Sequence, residues 1–207
     1  MIQNRAKIIG ITGGIATGKS TVVEIIKSKG YFVIDADEIA KDVVKKGSLG
    51  LEKIKEKFGS DILLYNGELN REKLAEIIFT NEEMRKELNE ILHPIIINEI
   101  IKAVDEHILQ EKVIFIDVPL LFESKDRFNE QGLSFDEVWL VYCDEQTQID
   151  RLMKRDKINY IYALNKIKSQ LDLNFKKENS DVIIYNNGDL HQLEETVEHF
   201  LRKLSCD

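Results

Sequence analysis

The chain has 207 residues, 43% of them apolar, which suits one globular domain with a proper core. A net charge of −8 argues against a general nucleic-acid or membrane binder, since both need a basic surface. The two cysteines, Cys143 and Cys206, give neither a metal-ligand spacing nor a disulfide framework, so a reducing cytoplasm is the expected setting.

The chain opens with Met1-Ile2-Gln3-Asn4-Arg5 and then enters Lys7-Ile8-Ile9-Gly10-Ile11-Thr12. That run is short, β-branched and apolar and reads as a buried strand, so no signal peptide is expected. No apolar run reaches membrane-spanning length. Next comes Gly13-Gly14-Ile15-Ala16-Thr17-Gly18-Lys19-Ser20, a match to G-x-x-x-x-G-K-[ST], with Thr21 directly behind it. Val22, Val23, Ile25 and Ile26 then carry helical spacing up to the stop signal Gly30. Strand, glycine loop and helix stand in the order a phosphate-binding loop requires. A helix starting near Lys19 leaves its first N–H groups unpaired, and with the helix dipole they form an anion site. Gly13, Gly14 and Gly18 allow close backbone approach, Lys19 reaches the β- and γ-phosphates, and the Ser20 hydroxyl is placed to ligate Mg²⁺.

Tyr31-Phe32-Val33-Ile34 reads as a second strand ending at Asp35-Ala36-Asp37, with a helix from about Glu38 to Lys46. Further strands are expected at Val113–Asp117, Glu137–Tyr142 and Val182–Tyr185, and a closing helix after the N-cap candidate Asp189 buries Leu193, Val197, Phe200, Leu201 and Leu204, with Leu190 on the same stripe. Apolar strands alternating with helical stretches indicate an α/β fold whose parallel sheet is covered on both faces. Between the second and third strands, residues 48–110 exceed what a crossover needs and carry mostly helical patterns. Thr80-Asn81-Glu82-Glu83 has the form of a capping box, Asn66-Gly67 that of a tight turn, and His93-Pro94 is expected to break the helical run. Such an insertion forms a wall for a second substrate or serves structure alone.

Residues 151–177 hold Arg151, Lys154, Arg155, Lys157, Lys166, Lys168, Lys176 and Lys177 against only Asp156 and Asp172. A basic cluster on an acidic chain with a phosphate loop reads as a lid closing over phosphates, against the plainer reading of a solvated helix face. Three carboxylates end strands beside the loop. Asp37 is a general-base candidate or the N-cap of the next helix; Asp35 lies two residues earlier; Asp117 ends its strand in the manner of a metal-holding acid.

Taken together, these pieces resemble the dephospho-coenzyme A kinase family. The carrying motifs are Ile11 to Thr21, Val33-Ile34-Asp35-Ala36-Asp37-Glu38-Ile39-Ala40, Leu92-His93-Pro94, Pro119-Leu120-Leu121-Phe122-Glu123, Thr147 to Asp156, and Asn186-Asn187-Gly188. The resemblance implies a P-loop kinase core with a five-stranded parallel sheet, a helical acceptor-binding insertion at 48–110 and a lid at 151–177 within one domain. It implies transfer of the γ-phosphate of ATP, with Mg²⁺, to the ribose 3′-hydroxyl of dephospho-CoA, with no nucleic acid, membrane or obligate protein partner. Asp37 matches the family's proposed base, Arg155 falls in the lid, and Asn186 matches a loop near the adenine. His93, Pro119, Leu120 and Leu121 fall in stretches tied to the acceptor. Two departures stand out. The family's loop usually reads Gly-Ile-Gly-Ser-Gly-Lys, whereas Ala16 and Thr17 stand here; both are small and outside the fixed positions, so ATP binding should survive. The family often has Arg where this chain has Lys166, which keeps the charge but loses the planar fork. Kinases for other small acceptors, and a nucleotide-dependent switch, share the loop; the switch needs Asn-Lys-x-Asp, and Asn165-Lys166 is followed by Ile167-Lys168.

Overall fold

The computed structural model describes residues 5–204. In chain order the first elements are β1 (Lys7–Gly13), α1 (Lys19–Ser28), β2 (Phe32–Asp35), α2 (Ala36–Asp42), α3 (Leu49–Phe58), α4 (Arg71–Thr80) and α5 (Glu82–His107). There follow β3 (Val113–Asp117), α6 (Leu121–Glu130), β4 (Glu137–Tyr142), α7 (Glu145–Asp156), α8 (Tyr160–Lys168), α9 (Leu173–Glu178), β5 (Val182–Tyr185) and α10 (Leu190–Leu204). The described residues divide into two compact units, one of 5–34, 106–126 and 134–204, the other of 35–105 and 127–133. The second unit therefore starts earlier than position 48 and takes in a piece of α6.

The first unit is built on a five-stranded parallel sheet in the order β2-β3-β1-β4-β5. Ile9 pairs with Phe115 on one side and with Glu137 on the other, which makes β1 the central strand. Because the side chains of a strand alternate, Ile9, Ile11, Phe115, Trp139 and Val141 share one face, where they meet Val22 and Ile26 of α1 and Leu193 and Val197 of α10. All of β3 is buried, as expected of a strand covered on both faces. Burial of each large side chain there contributes about 1.5–3 kcal/mol. Asp189 caps α10 by accepting the N–H of Gln192 at 2.9 Å. Leu190, at the start of that stripe, is exposed.

The second unit has its own core of Val43, Val44, Ile54, Ile62, Leu74 and Leu88. Its helices begin where short polar side chains accept backbone N–H groups: Asp35 for α2, Ser48 for α3 and Asn70 for α4. Four local expectations are corrected. Asp37 does not cap α2; Asp35 does, accepting the N–H groups of Asp37 and Glu38 at 2.9 and 3.1 Å. The helix after Asp37 ends at Asp42, not Lys46. The cap before α5 is Asn81, which accepts from Glu83 and Met84, while the Thr80 hydroxyl turns back to the carbonyl of Glu76. Finally, α5 runs through Pro94 unbroken. A proline removes one backbone hydrogen bond, and the buried Leu88 before it and Ile97, Ile100 and Val104 after it keep the two halves in one helix. Asn66-Gly67 does form a tight turn, with Gly67 at φ 80° and an isolated bridge between Leu63 and Leu69. Among the described residues, no helix is long and apolar enough to cross a membrane.

Candidate active site

The loop after β1 is held mainly through its carbonyls, with the N–H groups of Ile15 and Thr17 also engaged. Gly18 stands where α1 would have its cap, at φ 89°, and offers no capping side chain. The backbone N–H groups of Ala16, Gly18, Lys19 and Ser20 donate to no group among the described residues. An uncapped helix start with unpaired donors and the positive dipole end is a site for a phosphate. Gly13 is required by crowding, since a Cβ there would lie 2.7 Å from Thr17 Oγ1 and 3.1 Å from the Val141 carbonyl. At Gly18 a Cβ would strike the Asn186 amide in addition to facing its left-handed backbone.

Ala16 is one of two non-glycine residues with positive φ among the described residues, at 61°. An L-residue there costs roughly 1–2 kcal/mol, so the family's usual glycine is absent at a position where glycine is the unstrained choice. Thr17 is fully buried, and its hydroxyl donates to the Gly14 carbonyl at 2.9 Å, closing the loop on itself.

Lys19 is ion-paired with Asp117, the last residue of β3. Asp117 is buried, 5% exposed. The pair brings the loop cation and the strand-end acid together, with the acid partnered to the lysine. Ser20 is exposed and its hydroxyl has no partner among the described residues. Thr12 at the end of β1 donates to the Pro119 carbonyl at 3.1 Å, which fixes the start of the Pro119-Leu120-Leu121 stretch beside the loop's own strand. Within that stretch Leu120 is 45% exposed, whereas Leu121 is fully buried against Gly10 and belongs to the core.

Residues 151–177 are less uniformly cationic than their composition suggests. Arg151 on α7 reaches the Thr17 carbonyl, at 3.5 Å, and is the one basic residue of the segment with a hydrogen bond to the loop among the described residues. Arg155, one turn on, is exposed and bonds Asp156 at 2.8 Å, where Lys166 also converges at 2.8 Å. Lys176 is completely buried against Glu123, at 2.7 Å. Lys177 lies over the rings of Tyr142 and Tyr185, and its hydrogen bond to Tyr185 raises its pKa. Nearby, burial pushes the Cys143 thiol up to about 11, so it stays protonated. Cys206 lies outside the described residues.

Asn186 is 7% exposed and donates from Nδ2 to the Thr17 carbonyl at 2.8 Å, so it braces the loop directly. In the second unit, Asp37 is exposed in the first turn of α2 and, among the described residues, its carboxylate has no partner. His93 lies midway along α5; burial first and the Arg127 charge second lower its pKa, so it is neutral at pH 7. Two residues escaped the sequence reading, Gln148 and Gln170, which hold the two sides of Ile15 by 2.7 Å bonds. Gln148 falls within the Thr147 to Asp156 motif and Gln170 within the basic segment, but neither carries charge, and only the folded geometry shows what each holds.

The family model described as dephospho-CoA kinase matches residues 7–192. A dephospho-CoA kinase of Staphylococcus epidermidis is 42% identical over 199 residues, 96% of this chain and 95% of the relative. Among solved structures, dephospho-CoA kinase from Campylobacter jejuni superposes with a TM-score of 0.73 at 31% identity, covering 96% of both chains. A Thermus thermophilus protein does so with a TM-score of 0.78 at 28% identity, covering 96% of this chain and 98% of its own.

Proposed function

The chain belongs to the dephospho-CoA kinase family, and from that premise we propose how its own residues carry the transfer of phosphate from ATP to dephospho-CoA. The donor phosphates lie in the loop, held by the free amides of Ala16, Gly18, Lys19 and Ser20 and by the Lys19 ammonium. Gly13, Gly14, Thr17 and Thr21 shape that cradle, and Asn186 braces it. The observation that carries the reading is the uncapped start of α1, whose donors have no partner among the described residues.

In the reaction the acceptor's ribose 3′-oxygen attacks the γ-phosphorus, its proton passes to the Asp37 carboxylate, and the bond to the bridging oxygen breaks to release ADP. Phosphoryl transfer asks little covalent chemistry of the protein, so cations carry most of the stabilisation. Lys19, Arg151 and, once released from Asp156, Arg155 supply them. The oxygen donors present fit Mg²⁺: the Ser20 hydroxyl and the buried Asp117 carboxylate, ion-paired to the adjacent Lys19, would hold it together with the phosphates. When bound it neutralises charge on the phosphates. Residues 48–110 and 151–177 act as acceptor-binding insertion and lid, with His93 and the Pro119-Leu120 edge toward the acceptor. No protein, nucleic-acid or membrane partner is needed, and a cytoplasmic setting suits the small-molecule substrates.

A panel of acceptor alcohols with ATP, followed by phosphorus NMR of the product, tests the reading. Phosphate on the 3′-hydroxyl of dephospho-CoA is expected; preference for another acceptor or another position would overturn it.

A further inference from the structure

The peptide between Ile15 and Ala16 is held from outside the loop. Gln148 on α7, 3% exposed, donates from Nε2 to the Ile15 carbonyl at 2.7 Å. It packs so close that a Cβ on Gly14 would lie 2.7 Å from that nitrogen. On the preceding peptide, Gln170 accepts the Ile15 N–H at 2.7 Å, and the Gly14 carbonyl takes the Thr17 hydroxyl at 2.9 Å. In a trans peptide the C=O and N–H point in opposite directions. Drawing the Ile15 carbonyl to Gln148 therefore aims the Ala16 N–H the other way, and that N–H has no partner among the described residues.

The need for such a hold follows from Ala16. Its φ of 61° is the left-handed form that alanine disfavours. Flipping the Ile15–Ala16 peptide turns φ of Ala16 to a negative value, relieves that strain, and swings the Ile15 carbonyl oxygen to where the N–H had been. A carbonyl there repels phosphate. With glycine the two orientations are close in energy, but with alanine the flipped one is preferred unless something opposes it.

We propose that Gln148 is a positioning residue for the phosphate loop, holding the Ile15 carbonyl so that the strained Ala16 keeps its N–H aimed at the donor's phosphates. This rests on the reading of the loop as the ATP site. The Gln148→Met variant keeps the length of the side chain and loses the donor. Its KM for ATP rises at least fivefold while kcat at saturating ATP stays within about twofold, because bound nucleotide selects the unflipped loop. Adding Ala16→Gly removes the bias, so Gln148→Met in the Ala16→Gly background changes KM less than twofold. An unchanged KM for Gln148→Met, a loss of kcat alone, or an equal loss in both backgrounds would overturn the inference. A purely structural role would give the last of these. Should the variant not fold, amide NMR of the wild-type protein decides. On adding ATP the Ala16 amide proton moves downfield with those of Gly18 and Lys19. Movement of Gly18 and Lys19 without Ala16 sinks this inference alone; no movement of any loop amide sinks the ATP site itself.

Discussion

Asn186 donates its side-chain N–H to the carbonyl of Thr17, at 2.8 Å and buried, from 169 positions away in the sequence. The bond fixes the peptide that carries the Gly18 N–H, one of the free donors of the loop, and the absence of a Cβ on Gly18 is what admits the amide. The loop after β5 and the glycine loop after β1 are thereby one construction.

Asn186→Ala leaves the Thr17 carbonyl with only the 3.5 Å contact from Arg151. A buried acceptor losing its donor costs about 1–3 kcal/mol. For a chain of this size each kcal/mol lowers Tm by roughly 2–4 °C, so a thermal melt should fall by several degrees and the Kd of an ATP analogue should rise. Asn186→Asp sets a carboxylate against that carbonyl and beside the phosphates, and must bind the analogue more weakly than Asn186→Ala. The reverse order would remove Asn186 from the loop's support.

The pair Glu123–Lys176 behaves differently on its two sides. Lys176 is fully buried, while the Glu123 side chain is 22% exposed. Glu123→Ala strands a buried ammonium, a loss of about 3–5 kcal/mol. Lys176→Met fills the same space without charge and leaves a carboxylate able to reach water, so it should be far milder. Urea unfolding of the two variants separates them; equal midpoints would mean that the buried charge is not the source of the cost.

Much of this was legible beforehand, and the failures have physical causes. Strong periodicity located all five strands, and the loop pattern located the uncapped helix start behind β1, because both are local in sequence. Asp35 and Asp37 could not be told apart as caps, since either suits the role and only the first helical residue decides. Pro94 looked like a break because the rule for proline weighs one lost hydrogen bond and cannot see the apolar stripe on either side of it. The segment 151–177 read as a field of free cations, yet Lys176, Lys166 and Arg155 each have a carboxylate waiting for them in the fold. Gln148 stood inside a quoted motif, yet its role could not be read, because a neutral amide on a helix has no signature until its partner carbonyl is known.

Acid should loosen the junction of α7 and α8. The hydrogen bond from Arg155 and then that from Lys166 lower the Asp156 pKa from its ordinary 3.8 to about 2. A carboxylate depressed in the folded state contributes stability that is complete above the unfolded value and is lost as pH falls through the folded one. The window is therefore from about pH 4 down to about pH 2. Carboxyl ¹³C NMR should give an Asp156 midpoint near 2, and Asp156→Asn should abolish this part of the acid dependence. A midpoint near 4 would show that neither cation holds it.

Chemistry and capping fall to different carboxylates at the start of α2. Asp35 accepts two backbone N–H groups, whereas the Asp37 carboxylate is exposed and unengaged among the described residues. Asp35→Ala removes the cap and should cost about 0.5–2 kcal/mol of stability. Asp37→Asn should leave the melt nearly unchanged, because its backbone N–H, not its side chain, makes the capping bond. If Asp37 receives the acceptor's proton, Asp37→Asn slows single-turnover transfer by about 10²–10⁴-fold, with little change in ATP affinity. A drop of less than tenfold in a folded variant would reject it as the base. A destabilised Asp37→Asn with an unaltered rate per folded molecule would instead return that carboxylate to a structural role.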